Sequence, residues 1–266
     1  MDTDRIIASH DGTRLRVRIE GPSKAPAILL SHALGTGLEM WDPVAATLAE
    51  RYRVIRYDSR GHGGSDAPGG RYALADIGGD ALVVLNALGC ETATIVGLSM
   101  GGMAAMWIGL QASERVTALV LANTTAYIPA KEMLAANIVR ARDGGMPTIA
   151  QQTLARWFGP SFRADRPEDL AAYEARMGGM AVDGYAGSSA ILEDIDLRER
   201  LAHISAPTLV IAGAEDASPA IEGGRAMAAA ISGAQFALLP MAGHLSAIEN
   251  PASFEAAVTA FLDGLA

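Results

Sequence analysis

Ser99 lies between two glycines, in Gly97-Leu98-Ser99-Met100-Gly101. A serine in G-x-S-x-G is placed to attack a carbonyl carbon. Its setting matters more than the motif, because glycine-rich turns are common. Upstream, Glu91-Thr92-Ala93-Thr94-Ile95-Val96 is a short run rich in β-branched residues; downstream, Gly102 to Leu110 has helix-forming composition. A strand, a sharp turn carrying Ser99 and a helix make a nucleophile elbow. The turn strains the backbone at the serine, and neighbours without Cβ let strand and helix close around it. The start of the helix turns N–H groups towards negative charge developing there.

A serine hydroxyl needs a base at neutral pH, and the base needs a carboxylate to orient it. On a strand–turn–helix elbow the partners follow in the order Ser, acid, His. His244, in Ala242-Gly243-His244-Leu245, comes just after an apolar run and is the expected base. His62 precedes the elbow, His10 sits in an N-terminal turn and His203 follows the helical middle of the chain. Asp216, in Gly213-Ala214-Glu215-Asp216, is the first candidate for the acid. Its neighbour Glu215 is the main rival, and Asp194 and Asp196 are weaker ones. The oxyanion that forms on attack needs two N–H donors. One is expected from Met100, the residue after the nucleophile. The other should come from Ser31-His32-Ala33-Leu34-Gly35, where position favours Leu34. His32, in that loop, reads as a structural hydrogen-bonding residue.

These residues need a scaffold that gathers them at one edge. Arg14 to Glu20 alternates and predicts an antiparallel strand after an Asp11-Gly12 turn. Ala27 to Leu30, Tyr52 to Tyr57, Ala118 to Leu121, Thr208 to Ala212 and Gln235 to Leu239 predict further strands. Helical patterns lie between them: Trp41 to Glu50 with Asp42 as N-cap, Leu74 to Leu88 ending at Gly89, Gly224 to Ile231, and Pro251 to Leu262. The alternation predicts an α/β fold with a mostly parallel sheet flanked by helices. Between residues 124 and 201 the rhythm breaks into short helical stretches punctuated by proline and glycine. That segment is expected to be an inserted helical cap on a core made of residues 1–123 and 202–266. In the cap, Trp157 and Phe158 would either roof the serine or pack within the cap; Leu245, beside the base, is a third candidate for substrate contact.

Composition narrows the partners. A net charge of −9 argues against nucleic acid as the main partner. Apolar runs are too short for a membrane span, and no early stretch has the make-up of a secretory signal. The single cysteine, Cys90, excludes an intrachain disulfide and reads as a buried, inert thiol. These features fit a cytoplasmic protein acting on a small molecule. No His/Cys cluster has metal-ligand spacing, so no metal is expected.

The chain resembles the α/β-hydrolase superfamily throughout, including Asp58-Ser59-Arg60-Gly61-His62-Gly63-Gly64-Ser65. More narrowly it is similar to the 3-oxoadipate enol-lactonases. The likeness is carried by Leu34-Gly35-Thr36, Met40-Trp41-Asp42, Gly97 to Gly102, Leu121-Ala122-Asn123-Thr124, Ala155-Arg156-Trp157-Phe158 and His244-Leu245-Ser246. The resemblance implies an α/β-hydrolase fold, opening of an enol-lactone ring in aromatic catabolism, no cofactor, and a triad on Ser99, Asp216 and His244. Family members often carry Trp and Arg in the first cap helix, where this chain has Leu134 and Asn137, and a Cys-Cys pair where it has Ser188-Ser189. Loss of that arginine would remove a partner for a substrate carboxylate, which Arg140 and Arg142 would replace unless they are ordinary surface charges. A broad-specificity carboxylesterase or perhydrolase, and a ligand receptor on the same fold, are the alternatives. Dehalogenases and epoxide hydrolases carry Asp at the elbow, where this chain has Ser99.

Overall fold

The computed structural model describes residues 4–218 and 220–265. Its centre is an eight-stranded sheet of order β1-β2-β4-β3-β5-β6-β7-β8. Strands β1 (Arg5–Ala8) and β2 (Arg14–Glu20) form an antiparallel hairpin, and β2 pairs antiparallel with β4 (Arg53–Tyr57). The remainder is parallel: β3 (Ala27–Ser31), β5 (Ala93–Leu98), β6 (Val116–Ala122), β7 (Thr208–Gly213) and β8 (Gln235–Leu239). The central strands β3, β5, β6 and β7 are buried along nearly their whole length, which explains their unbroken apolar runs.

Around the sheet lie α1 (Asp42–Leu48), α2 (Leu74–Ala87) and α3 (Met100–Gln111). Between β6 and β7 the chain forms α4 (Lys131–Arg140), α5 (Met146–Trp157), α6 (Pro160–Asp165), α7 (Pro167–Gly178) and α8 (Val182–Asp194). The core closes with α9 (Ala220–Ala230), α10 (Ser246–Glu249) and α11 (Pro251–Asp263). Helix α1 packs on α11, and α2 on α3, so the two pairs flank the sheet. In the helical insertion α4 packs on α8 and α5 on α7. The chain leaves and re-enters the sheet through a narrow neck, where Tyr127 bridges to Asp196 and Leu197 N donates to Ala126 O at 2.9 Å. Among the described residues no helix is long and apolar enough to cross a membrane.

Two local expectations need correction. Asp42 is not an N-cap: a 3₁₀ turn over Leu38–Trp41 runs directly into α1, so Asp42 is already helical and its carboxylate instead takes a hydrogen bond from Arg56. The helix expected from Gly224 begins earlier, at Ala220. By contrast α2 ends as read, with Gly89 just beyond it at φ +68°.

The parallel register fixes the function-bearing edge. Ser31 pairs with Gly97, Leu98 with Ala122, Ala122 with Ile211, and Gly213 with Leu239. The segments holding Leu34, Ser99, Asn123, Asp216 and His244 therefore all leave from the same, carboxyl-terminal edge.

Candidate active site

Ser99 stands between β5 and α3 with φ +56° and ψ −115°, a conformation that side chains with Cβ rarely adopt. The surroundings hold it there. Its N–H donates to Ala122 O at 2.9 Å, and its carbonyl accepts from Thr124 Oγ1 at 2.7 Å. A Cβ on Gly97 would collide with the Gly101 carbonyl, and one on Gly101 with the Ser31 carbonyl. Both glycines are thus required for β3, β5 and α3 to approach this closely.

The Ser99 Oγ lies 2.9 Å from His244 Nε2, and His244 Nδ1 lies 2.8 Å from Asp216 Oδ2. With the proton on Nδ1 donated to the carboxylate, Nε2 is left as an acceptor for the serine hydroxyl. Burial works to raise the Asp216 pKa, but the adjacent His244 and hydrogen bonds from His244 and Ser218 outweigh it and hold the carboxyl at about 2. Asp216 is therefore ionised at neutral pH. Ser218 N donates to its Oδ1 at 2.8 Å.

A residue that sequence reasoning did not single out completes this arrangement. Asn123 follows β6 directly, is fully buried, and has φ +45°. Its Nδ2 donates to Asp216 Oδ2 at 3.1 Å and to Gly243 O at 3.0 Å, while its Oδ1 accepts from Ser246 Oγ. One side chain thus ties the acid to the loop that carries His244. The available signal was a polar residue straight after an apolar strand at the functional edge. The rival acid is occupied elsewhere: Glu215 accepts from Ser161 N and Oγ at the start of α6.

Leu34 borders the serine, and Met100 opens α3 directly after it. Among the described residues neither of their amide N–H groups has a hydrogen-bond acceptor. Two buried imidazoles brace the Leu34 loop. His62 Nε2 accepts from Gly35 N at 3.0 Å, and His32 Nε2 accepts from Ser59 N at 2.9 Å. The rings meet edge to face, with centroids 4.9 Å apart. Asp58 secures the other side by accepting from Leu38 N and Gly64 N at 2.7 and 2.8 Å.

Both imidazoles must be neutral to accept these hydrogen bonds. Burial, reinforced by His32, pushes the His62 pKa down to about 3. An unfolded histidine ionises near 6.5, so between pH ~6.5 and ~3 the unfolded chain binds the extra proton. Stability is then expected to fall with acidification across that window, by up to about 1.4 kcal/mol per pH unit for this one group. Urea unfolding at several pH values checks this. His62→Gln should flatten the slope, and an equal slope in the variant would contradict the assignment.

Ser99 and His244 open into a cavity of about 330 Å³ between the sheet edge and the insertion. Its wall includes Leu34, Met103, Ile128, Leu134 and Trp157. The Trp157 ring lies against the His244 imidazole, with centroids 4.9 Å apart at 36°. Among the described residues in this wall, Arg156 is the one permanently charged side chain. No group of three or more His, Cys, Asp or Glu side chains among the described residues is placed to hold a metal ion.

Residues 26–251 match the family described as the alpha/beta hydrolase fold. The chain belongs to the α/β-hydrolase fold family. Within it, the chain is 38% identical to 3-oxoadipate enol-lactonase 1 of Acinetobacter baylyi, over 94% of this chain and 93% of that protein. The solved enol-lactonase of Burkholderia xenovorans superposes with a TM-score of 0.94 at 37% identity, covering 97% of this chain and all of the other. A hydrolase from Pseudomonas aeruginosa gives the same TM-score at 40% identity over 98% of both chains.

In this α/β hydrolase the residues expected to touch substrate separate. Trp157 is in the cavity wall, whereas Phe158, the next residue, points the other way. It stacks on Phe162 at 4.3 Å and packs against Tyr173, inside the insertion. Helix α5 ends between them, so the two side chains diverge. Leu245 is fully buried behind His244 and does not reach the cavity. Leu134 and Asn137 both line it. Arg140 does not; it lies in a shallower outer groove between α4 and α5, where it donates to Gln152 Oε1 at 3.2 Å. Arg142 is exposed and also outside the wall. Arg156, quoted above only as part of a similar segment, lines both the cavity and that outer groove and is exposed.

Proposed function

We propose that the protein is a serine hydrolase that opens a small lactone or carboxylic ester through an acyl-enzyme on Ser99. A 3-oxoadipate enol-lactone or a near analogue is the substrate that the named relatives favour. The observation that carries this reading is the continuous line from Ser99 Oγ through His244 to Asp216 at the floor of the cavity.

In the first half-reaction Ser99 Oγ attacks the lactone carbonyl carbon while His244 Nε2 takes the hydroxyl proton. Asp216 holds the tautomer and stabilises the imidazolium. The amides of Leu34 and Met100 are the donors for the tetrahedral oxyanion. Collapse breaks the bond between the carbonyl carbon and the ring oxygen, and His244 returns its proton to that oxygen. In the second half, His244 takes a proton from water, hydroxide attacks the acyl carbon, and the proton returns to Ser99. Side chains and backbone amides suffice for every step. Residues 124–201 act in this scheme as a cap that excludes water and shapes the acyl pocket.

Arg156 favours a substrate with a carboxylate distant from the scissile bond, since no acidic side chain among the described residues shares the cavity wall. Arg156→Gln is expected to raise KM for a carboxylate-bearing enol-lactone about 10–100-fold, with little change for a neutral lactone of the same size. Steady-state kinetics on that pair checks it. Equal effects on both substrates would remove Arg156 from recognition. The mostly apolar wall supports a broad-specificity esterase as the second reading, and this would be preferred if neutral aryl esters outpaced every lactone in the wild type.

A further inference from the structure

We infer that Glu249 is a positioning residue that locks the loop bearing His244 to the helical insertion, so that the base and the cavity wall are held as one body. The inference rests on the reading of His244 as the base. Glu249 ends α10, five positions after the histidine, and no step above uses it. Its Oε2 accepts from Gly159 N at 2.7 Å and from Gly243 N at 2.9 Å, and its Oε1 accepts from Leu245 N at 3.0 Å. The amide between these last two, His244 N, donates to Trp157 O at 2.7 Å. Three consecutive N–H groups, before, at and after the base, are therefore all committed.

Two of the four partners, Trp157 O and Gly159 N, belong to the junction of α5 and α6. The same junction presents the Trp157 ring to His244 and to the cavity. Packing leaves no slack: a Cβ on Gly243 would collide with Trp157 O and Gly159 N. From the opposite side, Asn123 Nδ2 fixes the Gly243 carbonyl. A carboxylate suits this place because it offers only acceptors to three converging donors. An amide there would turn an NH₂ group towards at least one of them.

Glu249→Gln tests the idea, with active sites counted by stoichiometric organophosphate labelling of Ser99. The expected result is a fall in kcat per labelled site of about 10–100-fold, the scale of a small misplacement of a reacting group. The low-field proton resonance of His244 Nδ1–H, bound to Asp216, should shift or broaden in step. A role limited to stability would lower the number of active sites and leave kcat per site and the resonance unchanged, and that outcome would overturn the proposal. If Glu249→Gln does not fold, Glu249→Asp retains the charge but is one methylene too short to span both loops. The same fall per site is expected of it, and wild-type kcat would again overturn the proposal. Failure of the underlying reading looks different: Ser99→Ala would then keep its turnover. Inactive Ser99→Ala beside a normal Glu249→Gln would remove the clamp alone.

Discussion

Ser99→Ala is expected to lower lactone or ester turnover by about 10⁴–10⁶-fold while the protein folds normally. The chemical reason is loss of the attacking oxygen. The structural reason for intact folding is that the alanine removes one hydroxyl and leaves the backbone contacts of the elbow in place, including the 2.9 Å bond to Ala122 O. Alanine must still adopt φ +56°, but the native serine carries the same Cβ there, so the strain is not new. Circular dichroism and the unfolding midpoint should match wild type. Residual turnover in the variant would come from the oxyanion donors and binding alone. A wild-type rate would show that attack comes from another group.

Asp216→Asn should rank second, with kcat reduced by about 10⁴-fold. The amide would offer His244 Nδ1 either a donor or a weaker, uncharged acceptor. Ser218 N, which donates to Oδ1, favours an amide that turns its NH₂ towards His244, whereas Asn123 Nδ2, which shares Oδ2 with His244, favours the reverse, so either orientation sets the NH₂ against a donor. Glu215→Gln is the control. That carboxylate serves Ser161 at the start of α6 and makes no contact with His244, so its loss should cost far less activity. Measuring kcat for both variants against the same substrate decides the matter. The reverse ranking would mean that the acid is Glu215.

Much of this arrangement was legible in the chain. Strands buried on both faces require unbroken apolar runs, which is why β3, β5, β6 and β7 could be read directly. Residues in the loops that follow parallel strands fall on one edge, so Ser99 after β5, Asp216 after β7 and His244 after β8 could be brought together from order alone. Strand β1 left little signal because it is a short and mostly exposed edge strand. Side-chain direction was harder. Trp157 and Phe158 are adjacent, yet the end of α5 sends one to the cavity and the other into the Phe162–Tyr173 stack. Asn123 meets Asp216, Gly243 and Ser246, and Glu249 meets Gly159, across at least 90 positions of sequence, and only the closed fold brings these pairs together. Arg156 was overlooked in favour of Arg140 and Arg142 because sequence position does not reveal which face of α4 or α5 meets the cavity.

The covalent intermediate offers the most direct test of Ser99 as the nucleophile. A lactone retains its leaving oxygen after ring opening, so the acyl-enzyme should be heavier than the free enzyme by the full mass of the lactone. Wild-type enzyme would be mixed with 3-oxoadipate enol-lactone, quenched in acid within the first turnover, digested and mapped by mass spectrometry. The expected result is that added mass on the peptide containing Ser99, rising and decaying at rates consistent with kcat and absent from Ser99→Ala. An adduct on any other residue, or turnover by Ser99→Ala at the wild-type rate, would contradict it.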